Sequence, residues 1–292
     1  MNRSFKQVDV FTRVPFAGNP VAVVLDASGL DASQMQRIAN WTNLSETTFV
    51  LPPTQPGADY RVRIFTPRAE LPFAGHPTLG TAHALLEAGT IVPRDGQLVQ
   101  ECGAGLIALT VSSVDGARQL AFELPTARHE LLQPTQVEEL ASILGTALRD
   151  PHPPRRIEVG PIWTVVQLAS AEAVLALRPD LARLAELDGR TGSAGVVVFG
   201  AQAPGADAAI EVRAFAPAQG IAEDPVCGSG NGAVAAFIRD TGQTGTFGSR
   251  FTSAQGVAVG RDGRIALSCD MASGRILVGG CCVSCIEGVV RC

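Results

Sequence analysis

Phe65-Thr66-Pro67, a short acidic loop, then Phe73-Ala74-Gly75-His76-Pro77-Thr78-Leu79-Gly80-Thr81-Ala82: this stretch has an echo later in the chain. The echo reads Phe215-Ala216-Pro217, another short loop, then Ala222-Glu223-Asp224-Pro225-Val226-Cys227-Gly228-Ser229-Gly230-Asn231-Gly232. Phe65 recurs as Phe215 at a spacing of 150, Asp31 as Asp180 at 149, and His76 falls against Asp224 at 148. A period near half the chain points to a duplicated domain. A cleft lined by both copies is the expected consequence, because ligand pockets favour domain interfaces.

Length agrees with duplication. At 292 residues the chain exceeds one compact domain and suits two of about 140 residues each. A helix expected near Gln136–Leu148 and a proline-rich stretch up to Pro154 make the Pro125 region the expected boundary. The expected domains are 1–125 and 126–292, with the last strand free to return to the first. Each half runs through short strands, one amphipathic helix, more strands, the motif loop and one apolar helix. The first half places helices at about Ser33–Asn40, with Met35, Ile38 and Ala39 on one face, and at Thr78–Glu87. The second places them at Asp180–Leu187, stopping at Gly189, and at about Gly230–Arg239. Ala82, Ala84, Leu85, Leu86 and Ala88 leave the Thr78 helix almost no polar face, so its own sheet should enclose it. The predicted class is α+β: two pseudo-symmetric domains, each a curved, mostly antiparallel sheet around a central helix.

Composition narrows function. Apolar residues make up 46% and charged residues 17% of the chain, which suits a large core and an apolar contact surface, hence a homodimer. Net charge −5 argues against a nucleic-acid partner, which needs a basic face. No stretch has membrane-spanning length, and the N-terminus alternates like a strand without a signal-peptide core. A cytoplasmic protein without a membrane partner is the expectation. Seven cysteines are an odd number for a disulfide scaffold. Cys282 and Cys285 have a zinc-like gap, yet no second spaced pair completes it, so no metal is expected and the thiols read as small apolar residues.

Glu46 enters a strand beside Leu44 and Phe49, where burial would raise its pKa toward working pH and suit a general acid/base. Its counterpart at a spacing of 149 is Gly195, read as leaving room for a substrate. His76 and Asp224 each precede a proline and a helix start, which should hold both on extended backbone and aim them at one ligand. Gly228-Ser229-Gly230 opens the second apolar helix, whose exposed N–H groups suit an anion, and a carboxylate more than a pyrophosphate. The glycines do not follow the dinucleotide-binding spacing. Asn19 in Gly18-Asn19-Pro20 is both a turn residue and a substrate hydrogen-bonder. Cys227, just ahead of a helix, is expected to have a lowered pKa and to offer an alternative base, as in an amino-acid racemase. Its repeat partner on the 148 spacing is Leu79, which removes a two-thiol relay.

Gly18-Asn19-Pro20, Ser45-Glu46-Thr47, Phe73-Ala74-Gly75-His76-Pro77-Thr78, Gln100-Glu101-Cys102-Gly103-Ala104-Gly105, Glu223-Asp224-Pro225 and Gly228-Ser229 together resemble the phenazine-biosynthesis PhzF-like proteins. The resemblance implies the diaminopimelate-epimerase-like fold, a homodimer, and an isomerase that works without a cofactor. The family's best-known activity isomerises trans-2,3-dihydro-3-hydroxyanthranilate. By resemblance, Glu46 shuttles the proton, His76 and Asp224 are its site partners, and Ser45, Gly75, Gly228 and Ser229 contact the substrate and its carboxylate. Cys227 stands where Thr is often expected, and Gly230-Asn231-Gly232 is similar to the epimerase side of the superfamily. A non-catalytic relative that kept the ligand site is a further alternative.

Overall fold

The computed structural model describes residues 2–148 and 152–292; Met1 and Pro151, which the sequence reading included, lie outside them. Two units emerge, Met1–Glu123 with Gly279–Cys292, and Leu124–Val278.

In the first unit, runs of alternating or fully buried Val, Ile and Phe form strands. They are β1 (Asn2–Val10), β2 (Asn19–Val24), β3 (Thr47–Leu51), β4 (Tyr60–Phe65), the short β5 (Glu70–Leu71), β6 (Gln97–Cys102), β7 (Gly105–Val114) and β8 (Ala117–Glu123). Helix α1 (Ala32–Thr42) lies between β2 and β3, and α2 (Gly75–Glu87) between β5 and β6. Pairing is antiparallel for β1–β2, β3–β4, β6–β7 and β7–β8, and parallel for β2–β3 and β4–β6. The chain's final strand, Ile276–Arg291, pairs antiparallel with β1 and also joins β8, which closes the first unit's strands into a ring. Closure removes exposed sheet edges.

Asp31 caps α1: its side chain accepts from Gln34 N at 2.8 Å while Gln34 Oε1 accepts from Asp31 N at 2.9 Å. Met35 and Ala39 pack with Val24, Phe49 and Phe65 as the periodicity predicts. Residues His76 to Leu85 of α2 are all buried, and the helix touches β1, β2, β3 and β8. Gly80 permits this closeness, because a Cβ there would stand 2.4 Å from Val21 Cγ1.

The second unit continues with β9 (Arg128–Leu131), α3 (Pro134–Leu144), β10 (Arg155–Glu158), β11 (Ile162–Gln167), α4 (Ala171–Ala176), α5 (Leu181–Thr191), β12 (Gly195–Ala201), β13 (Ile210–Ala216) and β14 (Ile221–Asp224). Then come α6 (Gly228–Asp240), α7 (Thr244–Phe247), β15 (Arg250–Gln255), β16 (Gly263–Cys269) and β17, the final strand already described. Helix α5 repeats α1: its N-cap Asp180 accepts from Arg183 N at 3.1 Å. It runs past Gly189, where the sequence reading stopped it, because the left-handed cap falls at Gly192 (φ 68°). Helix α3 ends at Leu144 rather than Leu148, since Gly145 takes a left-handed cap. Residues Gly230 to Ile238 of α6 are buried, matching α2.

The copies share an internal clasp. Arg63 grips Glu70 with two bonds of 2.6 Å and lies 5.1 Å over the Phe65 ring; Arg213 grips Glu223 at 2.9 and 2.8 Å, 4.9 Å over Phe215. Phe65 and Phe215 therefore match at 150, but Glu70 and Glu223 match at 153, so the second loop is longer. The helices keep the 153 spacing. Ala74 and Cys227 are the N-caps of α2 and α6. Gln100 donates to Thr78 in one unit, and Ser253 donates to Asn231 at the same places in the other. This corrects the sequence alignment: His76 answers to Ser229, Asp224 to Leu71, and Cys227 to Ala74 rather than Leu79. The strand ladders agree, pairing Ile64 with Leu71 and Ala214 with Asp224.

Candidate active site

Ser45 and Glu46 lie in the turn between α1 and β3. The left-handed Asn43 (φ 55°) ends the helix, and Ala22 N donates to the Glu46 carbonyl as the β2–β3 ladder begins. The backbone of Glu46 is thus fixed before its side chain is considered. That side chain is only 14% exposed, and its Oε2 stands 3.4 Å from His76 Nε2. Burial pushes the Glu46 carboxyl up from the ordinary carboxylate range to about 7, against a hydrogen bond from Ser45 that pulls it down. An acid poised near neutrality can both take and return a proton.

His76 sits in the first turn of α2, with Pro77 after it, rather than on extended backbone ahead of the helix. Proline is tolerated there because first-turn N–H groups have no helical acceptor. Gly75 opens the helix beside Phe122, 2.5 Å from where a Cβ would stand. Asn19 is buried and begins β2, at the end of the β2–β3 pair from which Ser45 and Glu46 lead into β3. Ser45, Glu46 and His76 are therefore brought together in the first unit.

In the second unit Asp224 ends β14, and its Oδ1 accepts from Val226 N at 3.1 Å, an Asx-type turn. Gln255, buried at the end of β15, was not singled out from the sequence and organises this loop. It donates to the Asp224 carbonyl at 2.8 Å and accepts from Cys227 N at 3.0 Å and from Asn231 Nδ2 at 2.7 Å. Its signal was present: Gln255 ends β15 ahead of Gly256 as Cys102 ends β6 ahead of Gly103. Ser229 Oγ accepts from Trp163 Nε1 at 3.0 Å.

Two expectations are corrected here. Cys227 does cap α6, its Sγ accepting from Gly230 N at 3.3 Å, yet burial pushes its thiol well up, and the neighbouring Asp224 charge pushes it further. The lowered pKa expected from the helix start loses to desolvation. Gly195, the counterpart of Glu46, does not leave room: a Cβ there would meet Phe215 O at 2.1 Å and Trp163 Cζ3 at 2.9 Å. Packing fills that space.

Among the described residues no group of three or more His, Cys, Asp or Glu side chains is placed to hold a metal, and no helix is long and apolar enough to cross a membrane.

Fold and site together define a class, the duplicated α+β proteins of the diaminopimelate-epimerase-like fold. Within it, a family model described as phenazine biosynthesis-like protein matches residues 8–288, and the chain belongs to that family. Antisense-enhancing sequence 1 of Schizosaccharomyces pombe is 44% identical, covering 98% of this chain and 97% of that protein. The trans-2,3-dihydro-3-hydroxyanthranilate isomerase of Pseudomonas aeruginosa is 36% identical, covering 92% and 91%. A crystal structure of the Bacillus anthracis phenazine biosynthesis protein of the PhzF family superposes over the whole of both chains with a TM-score of 0.87 at 25% identity.

Proposed function

We propose that this protein is an isomerase that moves a proton along a small unsaturated carboxylic acid without a cofactor, with Glu46 as its general acid/base. The observation that carries the reading is the buried Glu46 carboxyl, raised to about 7 and set against His76. A relative over nine-tenths of the chain is named trans-2,3-dihydro-3-hydroxyanthranilate isomerase, which makes a dihydroaromatic acid the first substrate to try. Glu46 takes a proton from a carbon made acidic by conjugation to a carboxyl group, then returns it elsewhere on the conjugated system. His76 holds a polar group of the substrate and keeps Glu46 oriented. Asp224 is proposed to act on the same substrate, with Asn19, Ser45, Gly75, Cys227, Gly228 and Ser229 as binding residues. The backbone N–H groups at the start of α6 suit the substrate's carboxylate. The proton leaves and re-enters through one carboxyl, so the step balances with no added reagent.

Incubating the protein with trans-2,3-dihydro-3-hydroxyanthranilate in deuterium oxide, followed by proton NMR, tests the reading. It predicts a shifted double bond and solvent deuterium on a ring carbon. Saturable binding of that acid and its close analogues with neither change would instead support a ligand-binding relative. The reading takes the protein as a cytoplasmic homodimer, the low charged content supporting the dimer alone; sedimentation equilibrium giving a 30.4 kDa species would contradict the dimer.

A further inference from the structure

The corrected register sets two contacts against each other. In the first unit Glu46 meets His76 at 3.4 Å; their counterparts in the second unit are Gly195 and Ser229. There the contact to Ser229 comes from Trp163, whose indole N–H donates to Ser229 Oγ at 3.0 Å and whose Cζ3 stands 2.9 Å from where a Gly195 Cβ would be. Trp163 is 4% exposed, on β11 in parallel register with Gly195. The indole thus occupies the place that in the first unit holds the acid, and Trp163 and a second acid at residue 195 exclude one another.

We propose that Trp163 is a positioning residue that fixes Ser229 as a hydrogen-bond donor to an anionic oxygen of the ligand, so that this helix start holds a carboxylate. Indole nitrogen only donates, so it occupies a lone pair of Ser229 Oγ and turns the hydroxyl proton away from the ring. Among the described residues that hydroxyl's other side-chain contact is Cys227 Sγ at 3.7 Å, a weak acceptor. A carboxylate oxygen arriving at the α6 start competes easily with that sulfur. This deepens the proposed function and rests on its carboxylic-acid substrate.

The test uses nitrogen-15-labelled tryptophan and the indole N–H cross-peaks, of which the chain has two sources, Trp41 and Trp163. Trp41→Phe, remote in sequence and 82% exposed in the wild type, assigns the Trp163 peak. The probes are 3-hydroxyanthranilate and its carboxamide. The Trp163 peak should move saturably with the carboxylate and bind the carboxamide about tenfold more weakly. Ser229→Ala, read on the Trp163 peak, and Trp163→Phe, read by isothermal titration calorimetry with the same two probes, should each erase that preference, a ratio that general loosening of the fold does not create. A Trp163 peak unmoved by the carboxylate at tens of millimolar, or equal affinity for both probes, overturns the proposal. The readout needs no turnover, so failure of the isomerase reading would show separately, as a wild-type protein that neither shifts the double bond nor incorporates deuterium while the indole shift stands.

Discussion

Glu46 and Asp188 show how burial governs a carboxyl's behaviour, alone at Asp188 and against a Ser45 hydrogen bond at Glu46. Both are pushed up to about 7 by desolvation, Glu46 from 4.5 and Asp188 from 3.8. A raised carboxyl binds its proton more tightly when folded, so each makes the fold less stable as pH rises between its unfolded and folded pKa. For Asp188, whose two oxygens have no hydrogen-bond partner among the described residues, the window runs from about pH 4 to about pH 7. Asp188→Asn should therefore lose less melting temperature than wild type between pH 4.5 and 7.5, and be the more stable protein at pH 8. Parallel melting curves would contradict this. For activity the same shift predicts that kcat/KM rises through an acidic limb with a midpoint near 7, as Glu46 loses its proton. Cys227 makes the opposite point: a helix start lowers a thiol's pKa by far less than full burial raises it. Cys227→Ala should weaken binding, seen as a raised KM, while keeping kcat within a few-fold, and a loss of kcat beyond about a hundredfold would return the thiol to the list of bases.

At the scale of elements, the two Arg–Glu clasps are one motif in two solvents. Arg213 and Glu223 have side chains 7% and 11% exposed, and Arg213 Nη1 also donates to the Val174 and Leu177 carbonyls. Arg63 and Glu70 are 29% and 40% exposed. Removing Arg213 leaves a buried, unpaired carboxylate next to Asp224, so Arg213→Met should destabilise by about 3–5 kcal/mol. Arg63→Met should lose about 1 kcal/mol or less, because water screens its partner. Equal losses in urea unfolding would mean that burial does not separate the pairs. These elements were largely legible from sequence. The Asp31 and Asp180 caps and the two apolar helices fall where spacing put them, though α2 opens at Gly75 and so takes His76 into its first turn. Register was not legible, because the loop from Phe215 to Pro225 is longer than its twin and sequence matching slid Asp224 onto His76. A side chain buried against a helix start, such as Trp163, carries no local pattern that marks it either, and Gln255 is marked only by its place in the repeat.

Over the whole chain, duplication explains the architecture and divergence explains the chemistry. Both units keep a buried helix whose first turn carries the candidate polar groups, but one holds Glu46 with His76 and the other Trp163 with Ser229. The first unit depends on the chain's far end: β17 pairs along the full length of β1 and also joins β8 to close the ring. Ending the chain after Val278 should therefore abolish cooperative unfolding of the first unit, since it leaves β1 and β8 as open edges. Retained protection of β1 amides in hydrogen exchange would contradict this. The fold class was readable from the repeat and its strand-rich spacing, whereas ring closure joins residues too distant in sequence for any local signal.

One carboxyl in a dry setting, acting as both acceptor and donor of the migrating proton, is the central claim. Glu46→Gln keeps the side chain's shape and removes its capacity to ionise. Measured by NMR in deuterium oxide with trans-2,3-dihydro-3-hydroxyanthranilate, the variant should bind the acid yet incorporate deuterium at least about a hundredfold more slowly than wild type. Incorporation at the wild-type rate would contradict the account.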